Sequence, residues 1–306
     1  MTFKSVVLVE LTITHSLTSV LNNMSHFSRR YLTGSASLQF LGRLQKHLAN
    51  TAPKEHVVKE LVRPIGLASP PEPQVKYKEG NSVRELFDDA KTTQRARELE
   101  LQFSKGGLYD VYTFRKTNGK LFLSPPSFWK QEKAQYFPHL VGRTLASSQF
   151  QDIETTLLGK VSVVRIFTSA AGDSLGKSYF KSEEDVDYLK NESPLNSTPG
   201  TVQTQIVEIN FTENKLKALF ARLAMGQLRS GVPAERHSRY FLADRNQLPF
   251  GIREQLQINN LYTSYVLVVD PQLKIRWMGC GGADKKEFNL LWRCVRGLQK
   301  EESIAQ

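Results

Sequence analysis

Apolar positions form short strand-like runs in the second half of the chain and looser helical stripes in the first. Val161-Ser-Val-Val-Arg-Ile-Phe167 is β-branched and nearly continuous, which predicts a strand covered on both faces. Thr201-Val-Gln-Thr-Gln-Ile-Val-Glu-Ile209 alternates more and predicts a second strand; Asn210 or Thr212 then caps a helix with Leu216, Leu219, Phe220 and Leu223 on one face. Tyr265-Val-Leu-Val-Val-Asp270 and Lys274-Ile-Arg-Trp-Met278, separated by Pro271-Gln-Leu, read as an antiparallel hairpin. Asp284 with Glu287 makes a capping box for a last helix that buries Phe288, Leu291, Trp292, Val295 and Leu298.

Strand, loop, strand, helix, hairpin, helix is the order of an α/β fold with a thioredoxin-like central sheet flanked by helices. The crossover between its first two strands falls to the loop and helix around Leu175 to Leu189. Ahead of this domain, Ser82 to Phe103 predicts a helix, with Val83, Leu86, Phe87 and Ala90 on one face. Leu108–Phe114 and Leu121–Leu123 read as a β-hairpin turned by Asn118-Gly119. Ser124-Pro-Pro-Ser127 and Pro138 break the chain again and enclose Phe128, Trp129, Tyr136 and Phe137. That aromatic set is either a partner-docking patch or the plug that seats an arm on the main domain; large exposed aromatic clusters are uncommon on soluble monomers, which favours the plug. Arg63 to Pro73 contains four prolines and reads as a stiff linker.

Charge changes the picture at the N-terminus. The chain has 306 residues and a net charge of +11. Residues 1 to 54 hold six basic side chains against the single acid Glu10, residues 55 to 149 hold 15 against 11, and residues 150 to 306 hold 20 against 18. The excess is therefore a gradient, steepest in a Ser- and Arg-rich stretch that starts at Met24 or earlier. Leu38, Leu41, Leu44 and Leu48 lie there at helical spacing opposite Arg43 and Lys46, the make-up of a mitochondrial transit peptide, with Arg29-Arg30-Tyr31 as a suitable processing site. A disordered basic tail and an amphipathic interfacial helix are the alternatives. The apolar run from Ser5 to His15 is shorter than the about 20 residues that span a bilayer. The expected organisation is a transit peptide over 1–31, a basic, Pro-rich linker over 32–80, an arm with a helix and a short hairpin over 81–144, and the thioredoxin-like domain over 145–300. Basic residues between Leu223 and Tyr240 come with no recognisable RNA-binding module, so nucleic acid is not an expected partner.

Redox and metal chemistry find little to work with. The place just after the first central strand, where thioredoxin-type enzymes carry a thiolate, reads Thr168-Ser-Ala-Ala-Gly-Asp-Ser174 and contains no cysteine. Ser169 has no neighbouring base, and the loop Asn260 to Tyr265 has no proline. The two cysteines, Cys280 in a glycine-rich bend and Cys294 on the last helix, read as small packing residues of a protein kept in a reducing interior. His15, His26, His47, His56, His139 and His237 form no i, i+4 pair and have no cysteine or carboxylate at ligand spacing, so no metal site is expected. Gly279-Cys-Gly-Gly282 lacks the ordered positions of a P-loop and reads as a tight turn.

Tyr136-Phe-Pro-His-Leu-Val-Gly-Arg-Thr-Leu145, Leu158-Gly-Lys-Val-Ser-Val-Val-Arg-Ile-Phe-Thr-Ser169 and Val266-Leu-Val-Val-Asp-Pro-Gln-Leu-Lys-Ile-Arg-Trp-Met-Gly-Cys-Gly281 together resemble the mitochondrial ATPase complex assembly factor ten family, over roughly residues 105 to 300. Thr263-Ser264-Tyr265 departs from the Gly-Tyr pair expected before the strand. The resemblance implies a thioredoxin-like chaperone that has lost its cysteines, on the matrix side of the mitochondrial inner membrane. Its partners would be newly made Fo subunit 6 (subunit a) of the ATP synthase and the ring of subunit c. No catalytic residue, cofactor or metal is carried over. Phe128, Trp129, Tyr136 and Phe137, with Lys130 and Lys133 beside them, are the candidate client contacts. The rival is a divergent thioredoxin- or peroxiredoxin-like oxidoreductase working through Cys280; a copper carrier like the Sco proteins lacks its Cys-x-x-x-Cys.

Overall fold

Eight strands form the central sheet of the computed structural model, which describes residues 56–77, 109–182, 186–213 and 225–305, with scattered positions between 95 and 105. Strand β6 (Val161–Phe167) is buried along its whole length at the middle of the sheet. It pairs in parallel with β7 (Thr204–Thr212) and antiparallel with β9 (Ser264–Val269), which turns back into β10 (Lys274–Cys280). Helix α3 (Ala170–Lys177) lies in the crossover from β6 to β7, and α6 (Lys285–Ala305) follows β10. A parallel βαβ unit and an antiparallel ββα unit sharing one sheet make the thioredoxin-like fold. On the far side of β7 the sheet continues through β8 (Tyr240–Asp244), β4 (Val141–Thr144) and β5 (Phe150–Asp152), while β3 (Gln135–Tyr136) closes the β10 edge.

Pleat alternation divides the core between the two faces. Val161, Val163, Ile206, Val266 and Val268 pack with Trp277 beneath Leu291, Trp292, Val295 and Leu298 of α6. Val164, Ile166, Val207, Ile209, Leu267 and Val269 pack on the opposite face with Phe137, Leu140, Ile153 and Phe241. The last helix starts where the capping signal placed it: the Glu287 N–H donates to Asp284 Oδ1 at 2.8 Å. The reciprocal half of the box is not made, because the Glu287 carboxylate pairs with Lys120 and accepts from Ser124 Oγ at 2.9 Å.

The N-terminal half departs from the sequence reading in three places. The expected hairpin strand Leu108–Phe114 is a helix, α1 (Tyr109–Thr117). Asn118 (φ 50°) and Gly119 (φ 79°) are both left-handed, as a hairpin turn would require, but here they end a helix. The Gly119 N–H reaches back to the Phe114 carbonyl at 3.0 Å, the six-residue closure of a Schellman stop. Phe122–Leu123 (β2) then pairs in parallel with Lys59–Glu60 (β1) instead of with a hairpin partner.

The Pro-rich segment, expected as a stiff linker, is docked on the rest of the fold. Leu67 and Tyr136 exchange backbone bonds of 2.9 and 2.8 Å, the Leu61 N–H donates to the Leu123 carbonyl at 2.9 Å, and Ile65 is buried in the core. Proline holds this stretch extended, so the intervening residues meet a strand edge already in register. Finally, β3 and β4, which fall in the expected arm, belong to the main sheet, and Pro53–Gln306 forms one compact unit. The crossover helix also begins earlier than expected, at Ala170. The expected transit peptide, its leucine stripe and the helix carrying Leu216 to Leu223 lie outside the described residues. So does most of Ser82–Phe103, of which Arg95, Glu98, Leu99, Leu101 and Gln102 are helical.

Candidate functional site

Ser169 stands where a thioredoxin-type enzyme would place its reactive atom, at the N-cap of α3. Its hydroxyl oxygen accepts from the Gly172 N–H at 3.1 Å and its proton is donated to the Tyr262 carbonyl at 3.2 Å. Both hydrogen-bonding functions are spent on the backbone, and among the described residues no side-chain base bonds the hydroxyl. Gly172 is required by contact, because a Cβ there would lie 2.5 Å from the Thr263 carbonyl oxygen. The first turn of α3 is thereby pressed onto the loop before β9.

The thiols sit elsewhere and are quiet. Cys280 is fully buried at the end of β10; its Sγ accepts the N–H groups of Leu121 at 3.2 Å and Phe122 at 3.4 Å. Burial pushes its thiol up to about 11, outweighing the backbone bonds and the nearby Lys120 charge that favour the thiolate. Burial likewise pushes the Cys294 thiol up to about 11. Near neutral pH both are protonated and have little nucleophilic character. A neutral alkylating reagent is therefore expected to label neither cysteine in the native protein and both in denaturant. Rapid native labelling of Cys280 would revive the oxidoreductase reading.

Beside the thiol-free position lies a cleft of about 630 Å³ at the carboxyl ends of β6 and β7, floored by buried charge. The parallel register makes Arg165 and Glu208 direct partners, and the Arg165 Nε donates to Glu208 Oε2 at 2.9 Å. Arg165, only 2 % exposed, also donates to Asp173 Oδ1 at 2.8 Å and lies 4.3 Å above the Phe167 ring. Arg236 holds the other oxygen of Glu208 and reaches Glu192 at 3.1 Å, and Arg239 binds Glu192 at 2.6 Å. Burial opposes ionisation of Asp173, but the Arg165 charge and the bonds from Lys177 and Arg165 outweigh it, so the carboxyl sits below its ordinary value. For Arg165 burial is likewise overcome, by Glu208 and Asp173, and its pKa is raised. The basic residues between Leu223 and Tyr240 are thus largely spent inside the molecule; Arg229 donates to the Leu145 carbonyl at 2.7 Å.

Three of the four aromatic residues, Phe128, Trp129 and Tyr136, are held by β10, and the Phe137 N–H donates to the Leu273 carbonyl just before it. Phe137 is 0 % exposed and lies in the core, so it offers no surface to a client. Tyr136 lies on β3 with the Lys274 ammonium 5.2 Å from its ring. The Trp129 N–H donates to the Arg276 carbonyl at 2.7 Å, and the Arg276 guanidinium lies 5.5 Å from the Phe128 ring and donates to the Trp129 carbonyl at 2.6 Å. The Trp277 indole donates to the Pro125 carbonyl at 3.0 Å. Phe128, Trp129 and Tyr136 keep partial exposure beside the exposed Lys130 and Lys133.

The fold also assembles a cluster that local spacing could not display. His139, before β4, meets Glu154 on α2 (Ile153–Leu157), and Asp152 stands beside them at the end of β5. Their separation along the chain, 13 and 15 residues, is closed by the antiparallel β4–β5 pairing of Val141 with Asp152.

A family model described as ATP10 protein matches residues 45–298. The chain is 52 % identical to the mitochondrial ATPase complex subunit ATP10 of Eremothecium gossypii over 273 residues, 89 % of this chain and 97 % of that one. Against the protein of the same name from Saccharomyces cerevisiae it is 43 % identical over 277 residues, 89 % and 99 % of the two chains. Among solved structures it is similar to a DsbF homologue from Corynebacterium diphtheriae, with 14 % identity, a TM-score of 0.37, and coverage of 57 % of this chain and 92 % of that one.

Proposed function

Since the chain belongs to the ATP10 protein family, we propose that it is a non-enzymatic assembly factor of the mitochondrial ATPase complex. In this reading it binds newly made Fo subunit 6 (subunit a) and assists its joining with the ring of subunit c, from the matrix side of the inner membrane. The observation that carries the proposal is the 43–52 % identity, across nearly nine tenths of the chain, to proteins named as mitochondrial ATPase complex subunits. A thioredoxin-like sheet whose reactive position holds a committed serine, and whose thiols are buried, is a scaffold suited to binding. Among the described residues no helix is long and apolar enough to cross a membrane, which suits peripheral attachment. The proposed client contact is the exposed margin of Phe128, Trp129 and Tyr136 with Lys130 and Lys133; Phe137 supports it from below.

Photocrosslinking in mitochondria that are synthesising labelled protein tests this. Capture of newly made subunit 6, together with loss of the assembled complex when the protein is depleted, is the expected result. Normal ATP synthase without the protein, and no captured subunit, would overturn it. Replacing Cys280 and Cys294 by Ser is expected to cost about 1 kcal/mol of stability per site and to leave complementation of a depleted strain intact. Loss of complementation by a folded double variant would favour the redox alternative.

A further inference from the structure

His139, Asp152 and Glu154 each offer one ligand atom, and these atoms lie within 4.8 Å of one another. His139 and Glu154 are buried, at 8 % and 5 % exposure, and Nδ1 of the histidine contacts Oε1 of the glutamate. Among the described residues the other glutamate oxygen accepts one long bond, 3.4 Å, from the Leu140 N–H. Asp152 occupies the N-cap of α2, yet its carboxylate makes no capping bond there. A capping carboxylate is normally spent on the first free N–H groups of its helix. Here it stands beside the buried His139–Glu154 pair with no capping task of its own.

We propose that these three side chains form a binding site for one divalent transition-metal ion, with Zn²⁺ the reference ion. One imidazole and two carboxylates, with no thiolate, are donors for zinc, manganese, iron or cobalt, and an imidazole donor disfavours magnesium and calcium. A four-coordinate ion about 2.1 Å from each donor sets neighbouring donors roughly 3.4 Å apart. In the proposed site the close His139–Glu154 contact opens to admit the ion. The partly exposed Asp152 supplies the third donor from the solvent side, leaving a fourth position for water. Three protein ligands and one open position mark an exchangeable site rather than a closed structural one. Backbone bonds hold the donors in place. The Ile153 N–H donates to the Leu140 carbonyl at 2.8 Å, and the His139 N–H donates to the Tyr77 hydroxyl oxygen at 2.8 Å, so the docked Pro-rich segment becomes the outer support of the site. The proposal is independent of any role in ATPase assembly.

Titration of the purified, chelator-treated full chain with Zn²⁺ tests it, read by calorimetry and by the absorption of the Co²⁺ form. One saturable equivalent is expected, undisturbed by excess Mg²⁺, with a Co²⁺ spectrum that lacks a thiolate charge-transfer band. Asp152→Asn should bind at least about tenfold more weakly with its fold intact, and His139→Gln and Glu154→Gln more weakly still. His56→Gln should bind as the parent does. The Asp152 variant is decisive, because its side chain is partly exposed and its loss leaves the buried pair in place. The proposal is overturned by absence of a saturable equivalent, by a thiolate band in the Co²⁺ spectrum, or by affinity unchanged in folded Asp152→Asn.

Discussion

Replacing Arg276 by methionine is expected to cost about 3–5 kcal/mol of unfolding free energy at neutral pH, the loss typical of breaking a buried ion pair from one side. Arg276 is 0 % exposed and bonds Asp270, also 0 % exposed, at 3.1 Å; it reaches Glu302 at 3.3 Å and also pairs with Glu301. Methionine fills much of the volume but leaves the Asp270 carboxylate buried with only the N–H groups of Gln272 and Lys274, at 3.0 and 2.8 Å. Burial already raises the Asp270 pKa, against the bonds from Lys274 and Arg276 and the Arg276 charge; without the arginine it rises further. A carboxyl whose folded pKa lies above its unfolded value costs stability once it ionises, so the deficit of the variant should shrink as the pH falls through that raised pKa. Adding Asp270→Asn should recover a large part of the loss. Denaturant unfolding followed by tryptophan fluorescence, at two pH values, checks all three statements. A loss below about 1 kcal/mol would mean that the cluster contributes nothing net.

A second large effect is expected at Glu208. Glu208→Gln removes the charge that lies between Arg165 and Arg236, both under 4 % exposed. Each arginine keeps one other acid, Asp173 at 2.8 Å and Glu192 at 3.1 Å, so the cost should lie near the lower limit for a buried pair, about 3 kcal/mol. Added salt should restore little of it, because buried charges are weakly screened. The exposed pair Lys190–Asp187, 3.9 Å apart with the lysine side chain 80 % exposed, is the internal control: Lys190→Ala should cost no more than about 0.5 kcal/mol. Urea unfolding at low and high salt separates the two cases. Equal losses in the two variants would contradict the burial of the network.

The readable parts of the chain were those whose hydrophobic pattern admits one geometry. Val161–Phe167 is too apolar for a surface and too short for a core helix, and the Asp284 cap announces the face that α6 buries. Tyr109–Thr117 shows the opposite case. Its Tyr, Val, Thr and Phe favour a strand, and Asn118-Gly119 suits both a hairpin turn and a helix stop. The helix is retained by partners far along the chain: Asp110 accepts the Leu261 N–H at 3.2 Å, and the Asn260 amide donates to the Asp110 carbonyl at 2.8 Å. The candidate site was hidden for the same reason. Arg165 interrupts an apolar strand and reads as an imperfection until the register sets it opposite Glu208, 43 residues away. The Lys274–Trp277 block carried family resemblance, yet its task of holding Pro125, Trp129 and the last helix together emerges only from tertiary bonds. His139 and Glu154 are likewise joined by a strand pairing.

Gly172 gives the missing sulfur a different meaning. A Cys-x-x-Cys pair restored at the head of α3 would occupy positions 169 and 172, and the second cysteine would bring a Cβ within 2.5 Å of the Thr263 carbonyl oxygen. The loop before β9 has closed over the space that a resolving thiol needs. A cysteine pair at the head of α3 is therefore opposed by the backbone, and two substitutions alone do not make room for it. Placing a second cysteine there requires moving a loop anchored on the other side by the Thr263 hydroxyl, which donates to the Gly119 carbonyl at 2.6 Å. The stop of α1 thus acts as a latch that holds the loop before β9 against the head of α3.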